Sequence, residues 1–129
     1  MRYIVDTHAL VWYIIDDPRL GNGARQILDN PSAQLVIPTI VLAEAKHISE
    51  RKRIPLSFDE IMHTIAADAR ITIFPLDVFV VARMPDNLDI HDGLIVATAL
   101  MTRQLFAEEI AILTRDEVIT ASELLPVVW

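Results

Sequence analysis

The sequence predicts an α/β domain whose mainly parallel sheet is covered by helices on both faces. Three observations lead there. Four short β-prone runs, Arg2–Val5, Gln34–Ile37, Ile71–Phe74 and Ile110–Leu113, are nearly continuous apolar stretches, as expected of strands buried on both sides. The segments between them carry helical patterning with start and stop signals, so strand and helix alternate. Asp6 and Asp116 stand at or just past the ends of the first and last of these runs. In open parallel sheets the functional crevice lies beyond the carboxyl ends of the strands.

Taken in order, Arg2-Tyr3-Ile4-Val5 is the first strand and Thr7 to Ile15 a helix stopped near Asp17-Pro18. Asn22 to Asn30 forms a second helix with Ala24, Ile27 and Leu28 on one face. Gln34 to Ile37 is the second strand, punctuated by Pro38. Thr39 is expected to cap a helix that runs to about Arg53 and ends before Ile54-Pro55. Ser57-Phe58-Asp59-Glu60 has capping-box spacing and opens a helix to about Ala67. After the strand Ile71–Phe74 comes a short helix from Asp77 to Arg83. Asp89 or Ile90 starts a strongly apolar helix through Leu94-Ile95-Val96-Ala97-Thr98-Ala99-Leu100. Beyond the strand at Ile110–Leu113, a last short helix and strand are expected between Ala121 and Trp129.

A chain of 129 residues without linkers, repeats or low-complexity tracts reads as one domain, residues 1–129. It has no cysteine, hence neither disulfides nor thiolate metal sites, which fits a reducing cytoplasm. Asp6 and His8 interrupt the apolar N-terminus, so it is not read as a signal peptide, and no run approaches the length of a membrane span. Eleven Lys and Arg against eighteen Asp and Glu leave a net charge of −7, which excludes a generic binder of phosphate backbones. Any activity on nucleic acid must rest on a local site. The apolar fraction, 53%, is high for a small domain and is consistent with a surface covered by a partner or a second copy.

Four carboxylates carry the chemistry, and each has a structural alternative. Asp6 can bond the first amides of the helix beginning at Thr7, and Asp116 can shape the turn before Val118. Asp89 fits a helix cap, whereas Asp92, a turn further in beside apolar residues, is less well explained that way. Glu44 interrupts Ile40-Val41-Leu42-Ala43 in mid-helix; the alternative is a solvent-facing Glu paired with His47 or Arg51. If Asp6, Glu44, Asp92 and Asp116 converge, their charges need protons or a cation. All-oxygen ligation points to Mg²⁺ or Mn²⁺, and such an ion supports phosphodiester hydrolysis.

These residues, in this order, resemble the PIN-domain family, and specifically the VapC-type toxins of toxin–antitoxin pairs. Tyr3-Ile4-Val5-Asp6-Thr7-His8-Ala9-Leu10-Val11-Trp12 is similar to that family's opening strand, first acidic residue and helix. Val41-Leu42-Ala43-Glu44 is similar to the helix carrying the second acidic residue. Asp89-Ile90-His91-Asp92-Gly93-Leu94-Ile95-Val96-Ala97-Thr98-Ala99 matches most closely and carries the third, and Leu113-Thr114-Arg115-Asp116 carries the fourth. The resemblance implies a three-layer α/β/α fold, a divalent-metal site, Mg²⁺- or Mn²⁺-dependent endoribonuclease activity on an RNA substrate, homodimerisation and inhibition by a cognate antitoxin protein.

Carried over by residue, it makes Asp6 and Asp92 metal ligands, with Glu44 and Asp116 binding directly or through water. Thr114 becomes a hydroxyl orienting the cluster and Asp89 a cap or outer-sphere group. Apart from the resemblance, Arg115 and the run Arg51-Lys52-Arg53 are the expected phosphate contacts. For that run the alternative is a solvated helix end. Many relatives carry Arg where this chain has Gly93, which removes any grip on RNA from that position.

The four histidines, His8, His47, His63 and His91, show no ligand pair at helical spacing; His8 and His91 sit beside the acidic motifs, where substrate contact is the alternative to the packing or capping expected of them. Trp12 and Tyr13 are read as core or dimer contacts. A phosphoryl-accepting receiver domain fails for want of a late strand-end Lys, since the lysines are Lys46 and Lys52; a haloacid-dehalogenase-type site fails because His8 stands where a second Asp is needed. The remaining alternative is a PIN fold that binds without cutting.

Overall fold

The computed structural model describes residues 1–129. Five parallel strands, β1 (Arg2–Val5), β2 (Gln34–Pro38), β3 (Ile71–Phe74), β4 (Ile110–Leu113) and β5 (Val127–Val128), form one sheet in the order β3-β2-β1-β4-β5. Seven helices connect them: α1 (Thr7–Ile14), α2 (Asn22–Asp29), α3 (Thr39–Glu50), α4 (Phe58–Ala66), α5 (Val78–Ala82), α6 (Ile90–Phe106) and α7 (Glu117–Ser122). The α/β expectation, with a parallel central sheet and flanking helices, holds.

Three of the four apolar runs make the middle of the sheet; the other, β3, is an edge strand with Thr72 and Ile73 exposed, so the expectation of burial on both sides fails there. β1 pairs with β2 on one side, Ile4 opposite Val36, and with β4 on the other, Ile4 opposite Ile112 and Val5 opposite Leu113. All of these side chains are fully buried, at roughly 1.5–3 kcal/mol each for the larger ones. Alternation sorts them between two layers. Val5, Leu35, Ile37 and Ile71 face Leu10, Ile14, Leu28 and Ile65 of α1, α2 and α4 across a small internal cavity. Ile4 and Val36 therefore point to the opposite face. α6 is buried without interruption from Asp92 to Ala99, as suits a helix apolar on every side, and packs with α5, α7 and α3.

Several boundaries differ from the sequence expectation, each for a local reason. Pro38, with its fixed extended backbone, is the N-cap of α3, so Thr39 lies inside the helix; its hydroxyl donates to the Phe74 carbonyl (2.8 Å) and accepts from the Leu76 amide (3.2 Å). α3 stops at Glu50, before the Arg51-Lys52-Arg53 run. Lys52 adopts a left-handed conformation (φ 54°), and the Lys52 and Arg53 amides donate back to the carbonyls of Ser49 and Ile48. This is a Schellman stop built without glycine. α7 begins directly at Glu117, well before Ala121, because Asp116 caps it. At Ser57 the capping box forms as its spacing predicts.

The last residues tie α1 to the start of α2. The backbone at Gly21 and Gly23 passes so close to Trp129 that a Cβ at Gly21 would lie 2.4 Å from the Trp129 carbonyl carbon. Trp129 in turn meets Trp12 of α1 edge-on, ring centroids 5.9 Å apart.

Candidate active site

The strand order reverses direction at β1, whose successor in sequence lies on one side and β4 on the other. That is the switch point where an α/β sheet opens a crevice at its strand ends. Asp6 leaves β1 there, its amide still bonded to the Leu113 carbonyl of β4 (3.1 Å), and Thr114-Arg115-Asp116 leaves β4 beside it. A cleft of about 510 Å³ is lined by Asp6, His8, Thr114, Arg115, Asp116 and Glu117 among others.

Asp6 is both cap and centre. Its Oδ1 accepts from the Thr7 amide (2.7 Å), and its Oδ2 accepts from the Thr114 hydroxyl (2.6 Å), which itself accepts from the Asp116 amide (3.0 Å). A single hydroxyl thus joins the carboxylate that follows β1 to the backbone that follows β4. Burial pushes the Asp6 carboxyl above its usual range; the bonds from Thr114 and Thr7 oppose this, and the nearby charge of Glu44 reinforces it. Asp116 likewise caps, its Oδ1 accepting from the Val118 and Ile119 amides (2.8 and 3.0 Å). Asp89 caps α6 by accepting from the Asp92 amide (2.9 Å).

Asp92, in the first turn of α6, is buried, and burial together with the charges of Asp116 and Asp89 raises its pKa. Glu44 reaches the same region from α3. Neither His47 nor Arg51 partners it: the carboxylate forms an ion pair with His91 Nε2, while His91 Nδ1 lies 3.7 Å from Asp92 Oδ1. Burial raises the Glu44 carboxyl, but the His91 contact outweighs it and leaves the group below its usual value. The Glu44 bond, against some desolvation, lifts His91 to about 9, with Asp6 and Asp92 adding to the effect. Packing or capping, the expectation for His91, is therefore corrected. It is the cation among the acidic side chains, and its position directly before Asp92 at the start of α6 was the only sequence signal.

Beside the cleft, Trp12 lies one helical turn beyond His8. Their rings lie 4.9 Å apart, and the guanidinium groups of Arg115 and Arg19 stack on the indole at 5.0 and 4.6 Å. Trp12 is buried and Tyr13 bonds the Leu28 carbonyl and Asp29, so neither offers a free stacking platform. At Gly93 a Cβ would meet the end of the flexible Met84 side chain (3.1 Å) and Leu88. A side chain there would start toward the loop before α6.

The donor set suits a hard divalent cation: carboxylates only, two of them resisting ionisation, and the buried Thr7 hydroxyl with no hydrogen-bond partner although it lies close enough to favour the Glu44 charge. As the side chains stand, no three carboxylates or imidazoles are close enough together to hold one ion. Coordination would require Glu44 to leave His91 and the carboxylates to draw in.

Comparison with known proteins adds the following. No curated protein matches the chain in sequence. Among solved structures, a toxin–antitoxin complex from Klebsiella pneumoniae is similar in fold, at 21% identity and a TM-score of 0.61, over 94% of this chain and 92% of that one. A structure of FitAB bound to an IR36 DNA fragment is similar at 18% identity and a TM-score of 0.64, over 97% and 92% of the two chains. The model of the PIN domain matches residues 3–123, nearly the whole length of the sheet and its helices. The chain belongs to the PIN-domain family.

Proposed function

We propose that this protein is an Mg²⁺- or Mn²⁺-dependent endoribonuclease and the toxin of a toxin–antitoxin pair, with Asp6, Glu44, Asp92 and Asp116 as its acidic centre. PIN domains are generally nucleases, which supplies the reaction class. The observation that carries the reading is Asp6: a buried carboxylate at the sheet's switch point, held by neutral donors alone and facing further carboxylates. Keeping such a group ionised costs stability unless a cation arrives.

A dication bound there would supply a Lewis acid that activates water and braces the leaving oxygen. The chain's own groups do the rest. Thr114 fixes the Asp6 carboxylate in one orientation, and the Asp116 amide fixes Thr114. Arg115, stacked on Trp12 at the rim of the cleft, offers a planar pair of donors to a phosphate oxygen. His91 holds Glu44 and shields its charge until the site is loaded.

The partners in this reading are RNA, a cognate antitoxin and a second copy of the chain. The antitoxin draws support from the neighbours in fold, one a toxin–antitoxin complex and one described as FitAB bound to DNA. For the second copy, support comes from the apolar surface of α5 and its approach, where Leu76, Val78, Phe79 and Val81 are all exposed. A non-cutting PIN module is the second reading, favoured by the Glu44–His91 pair and the unconverged carboxylates.

The test is cleavage of single-stranded RNA by purified protein. Fragments should form with Mg²⁺ or Mn²⁺ and disappear with EDTA and with Asp6→Asn. RNA that stays intact under every metal condition supports the non-cutting module, and equal cutting in all lanes ends the metal-dependent reading.

A further inference from the structure

Beyond Glu44, away from the acidic cleft, lies a second cavity of about 430 Å³ with His8, Trp12, Glu44, His47, Ile48 and Arg53 in its lining. His8 lines the acidic cleft as well, so the two hollows meet at that imidazole. The volume falls in the range of small-molecule pockets and admits a nucleotide-sized group.

What distinguishes this cavity is the state of its charges. Most of the chain's basic side chains are committed: Arg2 to Glu108, Arg19 to Asp17, Arg25 to Asp16, Lys46 to Glu50, Arg70 to Asp68 and Arg83 to Gln104. Arg51, Lys52, Arg53, Arg103 and Arg115 make no such bond. Of these five, only Arg115 and Arg53 line a cavity, one in the acidic cleft and the other next door. Arg19 also lines the second cavity, but Asp17 holds its guanidinium through two bonds. Glu44, the carboxylate in the lining, is already met by His91. The cavity therefore keeps one free guanidinium that no neighbouring acid neutralises.

The backbone places it there at a cost. Lys52 takes the left-handed conformation that ends α3, a form disfavoured by about 1–2 kcal/mol for residues with a Cβ. The amide of Arg53 then bonds the Ile48 carbonyl (3.1 Å) and brings Arg53 back alongside Ile48 at the cavity wall. Had α3 continued to Arg53, as its sequence suggests, that side chain would follow the helix instead of folding back on it.

The geometry points to a phosphate subsite at Arg53, which holds an RNA strand one step from the phosphate being cut as the strand passes His8 out of the acidic cleft. This rests on the RNA-cleavage reading. In an acidic protein, two unpaired arginines lining adjoining hollows grip the backbone that the carboxylates alone would repel.

The experiment measures binding of fluorescein-labelled single-stranded RNA by anisotropy over a range of salt, with EDTA present to prevent cutting. Wild type is compared with Arg53→Gln and Arg103→Gln, both exposed and unpaired arginines, the second in the last turn of α6 and outside every cavity. Arg53→Gln should weaken binding by about tenfold and reduce the salt slope by about one, with Arg103→Gln near wild type. In the cleavage assay Arg53→Gln should raise KM and leave kcat nearly unchanged. Binding by Arg53→Gln equal to wild type overturns the subsite, as does an equal loss in Arg103→Gln, which would mean diffuse attraction, or a wild type that does not bind RNA. Cutting by wild type with a normal Arg53→Gln leaves the nuclease reading standing. Arg53-dependent binding without cutting removes that reading, and with it the place beside a cut phosphate, and keeps Arg53 as a phosphate contact.

Discussion

The two ends of the acidic centre handle the same problem differently. At the strand tips, Asp6 is buried among neutral donors, the Thr7 amide and the Thr114 hydroxyl, and its carboxyl is pushed up. On the helices, Glu44 has an internal cation, His91, and sits below its usual value. The hydrogen-bond partners of Asp6 at the strand ends are an amide and a hydroxyl, whereas the half-exposed faces of α3 and α6 bring an imidazole to Glu44. The comparison teaches that this centre is half compensated: one carboxylate awaits an external cation while another holds an internal one that must yield.

The largest effect expected is from Asp6→Asn. It should abolish cleavage yet raise the melting temperature of the metal-free protein at neutral pH, because a raised carboxyl pKa means that ionisation opposes folding above the unfolded value of 3.8. The amide can still accept from Thr7. A lower melting temperature, read by calorimetry with EDTA, would break the contrast between the two ends.

Thr114→Val comes next. It removes the one hydroxyl that orients Asp6 without adding charge, and should cost about 10–100-fold in metal affinity or in kcat/KM. Wild-type metal titration by calorimetry would show that Asp6 is held by its cap alone.

The helical end responds to pH. His91 is lifted from 6.5 to about 9, so its contribution to stability is complete below 6.5 and is lost as pH rises through 9. Glu44 is lowered, so its share is present above 4.5 and fades as pH falls. The pair therefore stabilises most between about 4.5 and 6.5. His91→Gln should lower the metal-free melting temperature most near pH 6 and leave it close to wild type by pH 10. A penalty independent of pH would make His91 a packing residue.

The smallest effect expected is a gain. Lys52→Gly removes the left-handed strain at the end of the helix that carries Glu44 and should stabilise by about 1 kcal/mol in denaturant unfolding. A loss would show that the Lys52 side chain holds the turn.

Much of the frame was legible in the residues. Continuous apolar runs marked β1, β2 and β4, and the all-apolar stretch after Asp92 marked a helix with no free face. Asp6 and Asp116 could be placed at strand ends because each follows such a run. The stop of α3 was missed since left-handed caps are signalled by Gly or Asn, and Lys52 is neither. The start of α7 was missed although its signal, Asp116 before two amides, was local; six residues are too few to show periodicity. Both ends of the Glu44–His91 pair were visible, but nothing in either neighbourhood selects the other.

By itself, the sequence determined most of the buried segments, where most helices could begin, and that any site would be built from oxygen ligands. Those are properties of short windows, governed by backbone geometry and by the cost of wetting apolar side chains. Only the tertiary structure decided that Thr114 bonds Asp6, that His91 and not His47 or Arg51 answers Glu44, and that Arg53 folds back into a cavity beside the cleft. Charges and hydroxyls act over a few ångströms of space, and the strand order that sets those distances joins β1 to β4 across more than a hundred residues of chain.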